Sequence, residues 1–232
     1  MNKIYYFLVF LPLLSCTGAY ISDAQKAVVT SSIDISDDIQ ADTLRMNIQK
    51  STIQWVATEM GGTRSRKGSI LFKNGFFLIH DGILVGGNLK VDMETIEVTD
   101  MPLYEKVARK NLLDHLNSAD FFNTVDYPLS SFMLTDMQEL GGDSLRMAGN
   151  LSIRGVTKNI EFLAYKDDGM LRANFTFNRF DWGIAYKGSW ADKALIDKDI
   201  ELIIEIDTEC FLGDGSMIHF PADVNNQSME FQ

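Results

Sequence analysis

A chain of 232 residues with 46% apolar and 11% aromatic residues suits one domain with a sizeable core plus a tail, and excludes disorder throughout. Its 32 acids against 21 bases, a net charge of -11, oppose binding to nucleic acid or to an anionic membrane. Cys16 and Cys210 are the only cysteines, and His80, His115 and His219 lie far apart, so neither a disulfide framework nor a metal-ligand spacing is present.

The opening Met-Asn-Lys precedes an apolar run from Ile4 to Leu14. That run, about eleven residues, fits the core of a secretory signal and is too short to span a bilayer, which takes roughly 20. The closing Leu13-Leu14-Ser15-Cys16 resembles a bacterial lipobox. The resemblance implies a signal peptide over residues 1–15, lipidation of Cys16 and export across the inner membrane. The product would be a membrane-anchored lipoprotein, periplasmic or on the outer membrane. An acidic protein held at a membrane relies on acyl chains, because its charge works against it. Residues 16–43, rich in Ser, Thr, Asp and Ala, read as a polar tether that admits a short strand at Ala27–Thr30.

From Met46 onward the apolar residues recur at every second position. Ile53, Trp55 and Ala57 alternate with polar or solvent-facing neighbours, as do Val85, Leu89 and Val91, then Leu145, Met147, Leu151 and Ile153. Leu171, Ala173, Phe175 and Phe177 follow, and finally Ile200, Leu202, Ile204 and Ile206. Turn signals stand at Lys73-Asn74-Gly75, Asp81-Gly82, Gly141-Gly142-Asp143 and Asp167-Asp168-Gly169, short enough for antiparallel hairpins. Between Pro102 and Leu116 the spacing of Tyr104, Val107, Ala108, Leu112 and Leu116 is helical. The expected fold is all-β, about eight antiparallel strands forming a barrel or sandwich, with one amphipathic helix.

Catalytic patterns are missing. No G-x-S-x-G elbow occurs, and Gly61-Gly62 and Gly86-Gly87 lack the neighbours of a phosphate loop and suit a turn or bulge. No cofactor is implied, and the chain reads as a non-enzyme.

Two stretches carry more information. His115-Leu116-Asn117-Ser118-Ala119-Asp120-Phe121-Phe122 leads to Tyr127-Pro128 and Phe132, and Gly149-Asn150-Leu151-Ser152-Ile153-Arg154-Gly155-Val156-Thr157-Lys158 follows. Both resemble signature segments of the YceI-like family of secreted lipid-binding proteins. Lys67-Gly68-Ser69-Ile70, Arg179-Phe180-Asp181-Trp182-Gly183-Ile184 and the strand ending at Asp207 add weaker matches, in the family's order. The likeness runs from about Leu44 to Asp207, giving a barrel domain over 44–208 and an appendage over 209–232.

The resemblance implies a lipocalin-like barrel whose interior takes a long-chain isoprenoid or fatty lipid, and it admits a homodimer. The expected lining is Trp55, Phe72, Val85, Leu89, Met147, Leu151, Phe162, Phe175, Phe177, Leu202 and Ile204. The motif positions His115, Ser118, Asp120, Phe121, Gly149, Gly155 and Thr157 are singled out with it. Relatives often carry Arg-Asp just before the motif histidine; here Leu112-Leu113-Asp114 stands there, which removes a cation from any headgroup contact. Read from the residues alone, His115 and Asp120 cap the helix end, Phe121 and Phe122 plug the barrel, and Trp182 covers Gly183. Arg154 and Lys158 are solvated hairpin charges, and Gly155 frees a tight turn. The same inward residues would equally make a solid core, leaving a structural or interaction lipoprotein with no ligand.

Overall fold

Alternating burial along the chain sets the strands, and their pairing closes them into a ring. The computed structural model describes residues 19–34, 41–81, 83–167, 169–185 and 196–207. Three short strands come first, β1 (Gln25–Lys26), β2 (Val28–Ser31) and β3 (Asp42–Arg45). Eight longer ones follow: β4 (Asn47–Glu59), β5 (Arg64–His80), β6 (Ile83–Val98), β7 (Leu129–Gly141), β8 (Ser144–Ile153), β9 (Val156–Asp167), β10 (Met170–Asn178) and β11 (Ile196–Asp207). Each pairs antiparallel with the next, and β11 returns to β4 through Leu202 opposite Trp55 and Ile204 opposite Ile53. The sheet is therefore a closed eight-stranded antiparallel barrel, and closure removes its hydrogen-bonding edges. On β10, Leu171, Ala173, Phe175 and Phe177 are buried while Arg172 and Asn174 face water, the alternation that the sequence carries.

The seam between β9 and β10 is the exception. These strands pair directly only from Asp167 opposite Met170 to Ala164 opposite Ala173. Beyond that point β2 pairs with β9 and β1 runs parallel to β10, so residues 25–31 lie in the gap. Ala27 between them is buried in the core. This part of the expected tether is thus ordered sheet, with β2 where the sequence admits a strand.

Two irregularities correct the sequence reading. Lys73-Asn74-Gly75 is not a turn: β5 runs through it, and the extra residue is absorbed as a bulge between Phe72 and Asn74. A side chain at Gly75 would collide with the Met46 sulfur, so the glycine here serves close approach. A second bulge shifts the β5–β6 register between Leu78 and Ile79, so that Ile79 faces Leu84. Leu84 is consequently the buried residue, and Val85, expected inside, drops out of the inward series.

The helix α1 (Lys106–Asn117) lies between β6 and β7 and packs on β6. Leu116 is buried and Leu112 and Leu113 rest against the core, whereas Tyr104 and Val107 are 82% and 74% exposed. Only its second half is amphipathic towards the barrel.

The barrel has two unlike halves. At the end carrying the Asp81, Gly141-Gly142 and Gly169 turns, Phe77, Ile79, Leu84, Leu134, Leu145, Met147, Ala164, Leu171 and Ile206 are buried in the core. The other end carries the Gly61-Gly62 turn, α1, the Arg154-Gly155 turn and a 3-10 helix (Arg179–Trp182), and it is hollow.

Candidate functional site

The hollow half encloses a cavity of about 160 Å³. Its walls come from all eight barrel strands, with Leu116, Phe121 and Phe122 from the helix end and Ile184 after the 3-10 helix. Among the lining residues the polar side chains are Ser130, Ser131 and Arg179, beside the indole N–H of Trp55. Such a surface sheds water and favours an apolar occupant.

Nine of the expected lining residues meet there: Trp55, Phe72, Leu89, Leu151, Phe162, Phe175, Phe177, Leu202 and Ile204. Phe162 and Phe175 stack at 4.3 Å, and Phe132 tilts onto Phe162 at 5.7 Å. Val85 is displaced by the bulge, and Met147 belongs to the packed half, buried but outside the lining. Among the lining residues absent from the expected set are Phe122, Ser130, Phe132, Ile160, Arg179 and Ile184. Ile160 and Phe162 share one face of β9, so period two had the signal for Ile160; nothing local marks Ser130 or Ile184.

The closed end is assembled from the motif residues. The Ser118 hydroxyl donates to the His115 carbonyl at 2.8 Å and accepts the Asp120 N–H at 3.3 Å. Ser118, rather than the Asp120 side chain, thus caps the helix end. The loop then turns Phe121 inward, 5.7 Å from the His115 ring and edge-on to Phe122 at 4.8 Å. Phe121 and Phe122 plug the barrel as expected, and of the motif positions Phe121 alone lines the cavity.

The turn between β8 and β9 locks this loop. Arg154 and Gly155 have φ of 51° and 74°, the paired positive values of a type I′ hairpin, which glycine adopts freely and arginine does not. From that position the Arg154 guanidinium donates to the Ala119 carbonyl at 2.6 Å and the Gly183 carbonyl at 3.2 Å. Arg154 is therefore a strut across the barrel end, not a solvated charge. Across the same hairpin the hydroxyls of Thr157 and Ser152 lie 2.7 Å apart.

Arg179 is 1% exposed. Its Nε donates to the Asp197 carbonyl at 3.1 Å, Nη1 to that of Ile184 at 2.6 Å and Nη2 to that of Ile196 at 3.1 Å. The guanidinium also lies 4.4 Å from the Phe180 ring centre and 5.8 Å from that of Phe121. Burial lowers its pKa, and Asp197 opposes that shift. Trp182, fully buried, stands edge-on to Phe177 at 5.1 Å and donates its Nε1–H to the Leu151 carbonyl at 2.9 Å. Gly183, at φ 66°, ends the 3-10 helix. Rings cover Gly68 (Trp55), Gly87 (Phe77), Gly149 (Phe132) and Gly155 (Tyr127). Cys16, the expected lipidation site, lies outside the described residues.

Together these features define an antiparallel β-barrel with an apolar internal chamber, packed at one end and stoppered by aromatic side chains at the other. Residues 44–208 match the YceI-like domain family. A UPF0312 protein of Pseudomonas putida is 29% identical over 166 residues, 66% of this chain and 80% of that protein. Protein YceI of Escherichia coli is 46% identical over 46 residues, 20% of this chain and 24% of its own. The crystal structure of Burkholderia cenocepacia BcnA shares the fold with a TM-score of 0.53 at 15% identity, covering 69% of this chain and 98% of BcnA. The chain belongs to the YceI-like family.

Proposed function

We propose that this protein binds the chain of a polyisoprenoid-like lipid in the hollow half of its barrel and carries or sequesters it without catalysis. The observation that bears the reading is the cavity itself, apolar on all sides within a closed sheet. Burying about ten CH₂ groups gains on the order of 8 kcal/mol before ordering costs, enough for useful affinity without directional contacts.

The volume limits how the lipid fits. A cavity of about 150 Å³ holds one benzene-sized molecule, so the 160 Å³ chamber takes a short segment in its closed form. A longer chain requires Phe121 and Phe122 to swing out, and those two rings are the stopper through which it enters. The signal-like residues 1–15 and Cys16 support an extracytoplasmic lipoprotein, tethered by acyl chains beside the membrane that holds its cargo.

The test is thermal unfolding of delipidated protein with and without a prenyl lipid. A ligand at a hundred times its Kd adds about 2.7 kcal/mol, so a rise of several degrees is expected. Absence of any shift with prenyl or fatty lipids would favour an interaction module that carries no ligand.

A further inference from the structure

The segment ahead of β1 is fixed to the barrel rim. The Tyr20 N–H donates to the Gly62 carbonyl at 2.8 Å, and the Tyr20 hydroxyl donates to Glu201 at 2.6 Å. Lys67 Nζ stands 5.2 Å from the centre of the Tyr20 ring. A side chain at Gly62, whose φ is 85°, would come within 2.4 Å of the Tyr20 carbonyl oxygen, so this fit requires glycine. The Gly61-Gly62 turn belongs to the hollow end, which Phe121 and Phe122 close. Tyr20 is thus seated at the mouth of the barrel.

That seat shortens the tether. Cys16, the proposed acylation site, stands four residues before Tyr20, so its Cα lies within about 14 Å of that point. Strands β9 and β11 have 12 residues each. At roughly 3.3 Å per residue and a tilt of roughly 40°, such strands make a barrel about 30 Å tall. A bilayer that holds the acyl chains therefore cannot face the packed end. The hollow end is also apolar on its outside. Among the described residues eight large apolar side chains are more than half exposed, and six lie in segments at this end: Ile21, Met60, Leu103, Tyr104, Val107 and Val125. Met60 is in the β4–β5 turn, and the last four lie in the connection that carries α1. Exposed apolar side chains gathered at one end mark a contact surface.

We infer that the short tether from Cys16 seats the barrel mouth-down on the bilayer that holds its acyl chains, with the apolar rim of the hollow end dipping among the lipid headgroups. This rests on the lipoprotein reading and deepens it. Acyl chains and rim act together, since a single weak attachment gives only reversible contact. The net charge of -11 opposes adsorption by charge, which leaves apolar contact and the tether to orient the protein. In that pose Phe121 and Phe122 face the membrane. A lipid that passes the stopper then moves between bilayer and chamber without crossing water.

The test uses acylated full-length protein in vesicles of phosphatidylethanolamine and phosphatidylglycerol, some of whose lipid carries a nitroxide quencher. Fluorescent labels are placed, in a Cys210→Ser background, on Val107→Cys and Val125→Cys at the mouth and on Leu140→Cys and Tyr165→Cys at the packed end. Quenching is expected to be severalfold stronger at the two mouth positions. Inserting about 20 Gly and Ser residues between Gly18 and Ala19 adds roughly 25 Å of reach and should cut that contrast at least twofold. Equal quenching at both ends of vesicle-bound protein, stronger quenching at the packed end, or a contrast that the insertion leaves unchanged would overturn the orientation. The first two results would leave the apolar rim to a protein partner or a second copy, with the lipoprotein reading intact. Protein whose intact mass shows no acylation, and which does not float with the vesicles, would remove that reading and the orientation with it.

Discussion

The guanidinium of Arg154 donates to the carbonyl of Ala119 at 2.6 Å, joining a hairpin turn to the loop after the helix across 35 residues of sequence. The same side chain reaches Gly183, so one residue ties together three segments that close the hollow end. Arg154→Asn keeps a residue that tolerates positive φ while removing both bonds. Stability is expected to fall by about 1 kcal/mol, while lipid uptake and release speed up because the Phe121–Phe122 stopper loses its strut. Stopped-flow exchange of a fluorescent lipid checks this; unchanged exchange rates would place the stopper's control elsewhere.

Two glycines separate packing from backbone conformation. At Gly149 a side chain would strike the Phe132 ring and stand 2.8 Å from the Met133 carbonyl oxygen. Gly149→Ala is expected to cost roughly 2–3 kcal/mol or prevent folding. At Gly183 the space is open and only the φ of 66° resists a side chain, so Gly183→Ala costs about 1 kcal/mol. Denaturant midpoints of the two variants give the ranking.

The Tyr20 hydroxyl donates to the buried Glu201 carboxylate at 2.6 Å and helps to hold the segment that precedes β1 on the barrel. Burial, the hydrogen bond to Glu201 and its negative charge push the Tyr20 pKa up from 10.0 to about 12. The folded phenol keeps its proton more firmly than the unfolded one, so this contribution is intact below pH 10 and is lost as pH rises towards 12. Protection of the Ala19–Ser31 amides from hydrogen exchange should decline over that window more than in Tyr20→Phe, which forfeits the bond at all pH values.

Asp197 behaves oppositely. Burial pushes its carboxyl up, yet hydrogen bonds from Thr58 Oγ1 and the Gly61 and Gly62 N–H groups, with the Arg179 charge, bring it below the usual range. Its contribution is present above the ordinary carboxylate pKa and disappears as pH falls through the lowered value. Thr58→Val should make the barrel less stable at neutral pH and narrow its advantage over acid conditions, as measured by urea unfolding at several pH values.

Stability and binding should also divide between the two barrel halves. Leu145, fully buried at the packed end, lies outside the cavity lining. Leu145→Ala is expected to cost about 2–5 kcal/mol through the void it leaves, with lipid affinity unchanged while the protein remains folded.

The strands were legible because each buries one face against the barrel interior, so period two survives from Ile53 to Ile206. What escaped the pattern has physical causes. Val85 was lost because a bulge on β6 hands the inward position to Leu84, and a bulge leaves no periodic trace when glycines follow it. Lys73-Asn74-Gly75 has the chemistry of a turn, but its glycine answers to the Met46 side chain. Tyr104 and Val107 keep helical spacing although no partner covers them. Met147 points inward as the alternation requires; that its half of the barrel is packed depends on which side chains meet from seven other strands. The strut role of Arg154 likewise needs the Ala119 and Gly183 carbonyls, which only the fold brings near.

The most direct measurement is native mass spectrometry of detergent-free protein alongside Ala57→Phe, a ring placed in the chamber wall where Ala57 now leaves room. The unaltered protein should carry a co-purified lipid-sized mass, and the variant should be as stable or more so, yet empty. Repeated preparations of unaltered protein without any adduct, and none on adding prenyl lipid, would contradict the account.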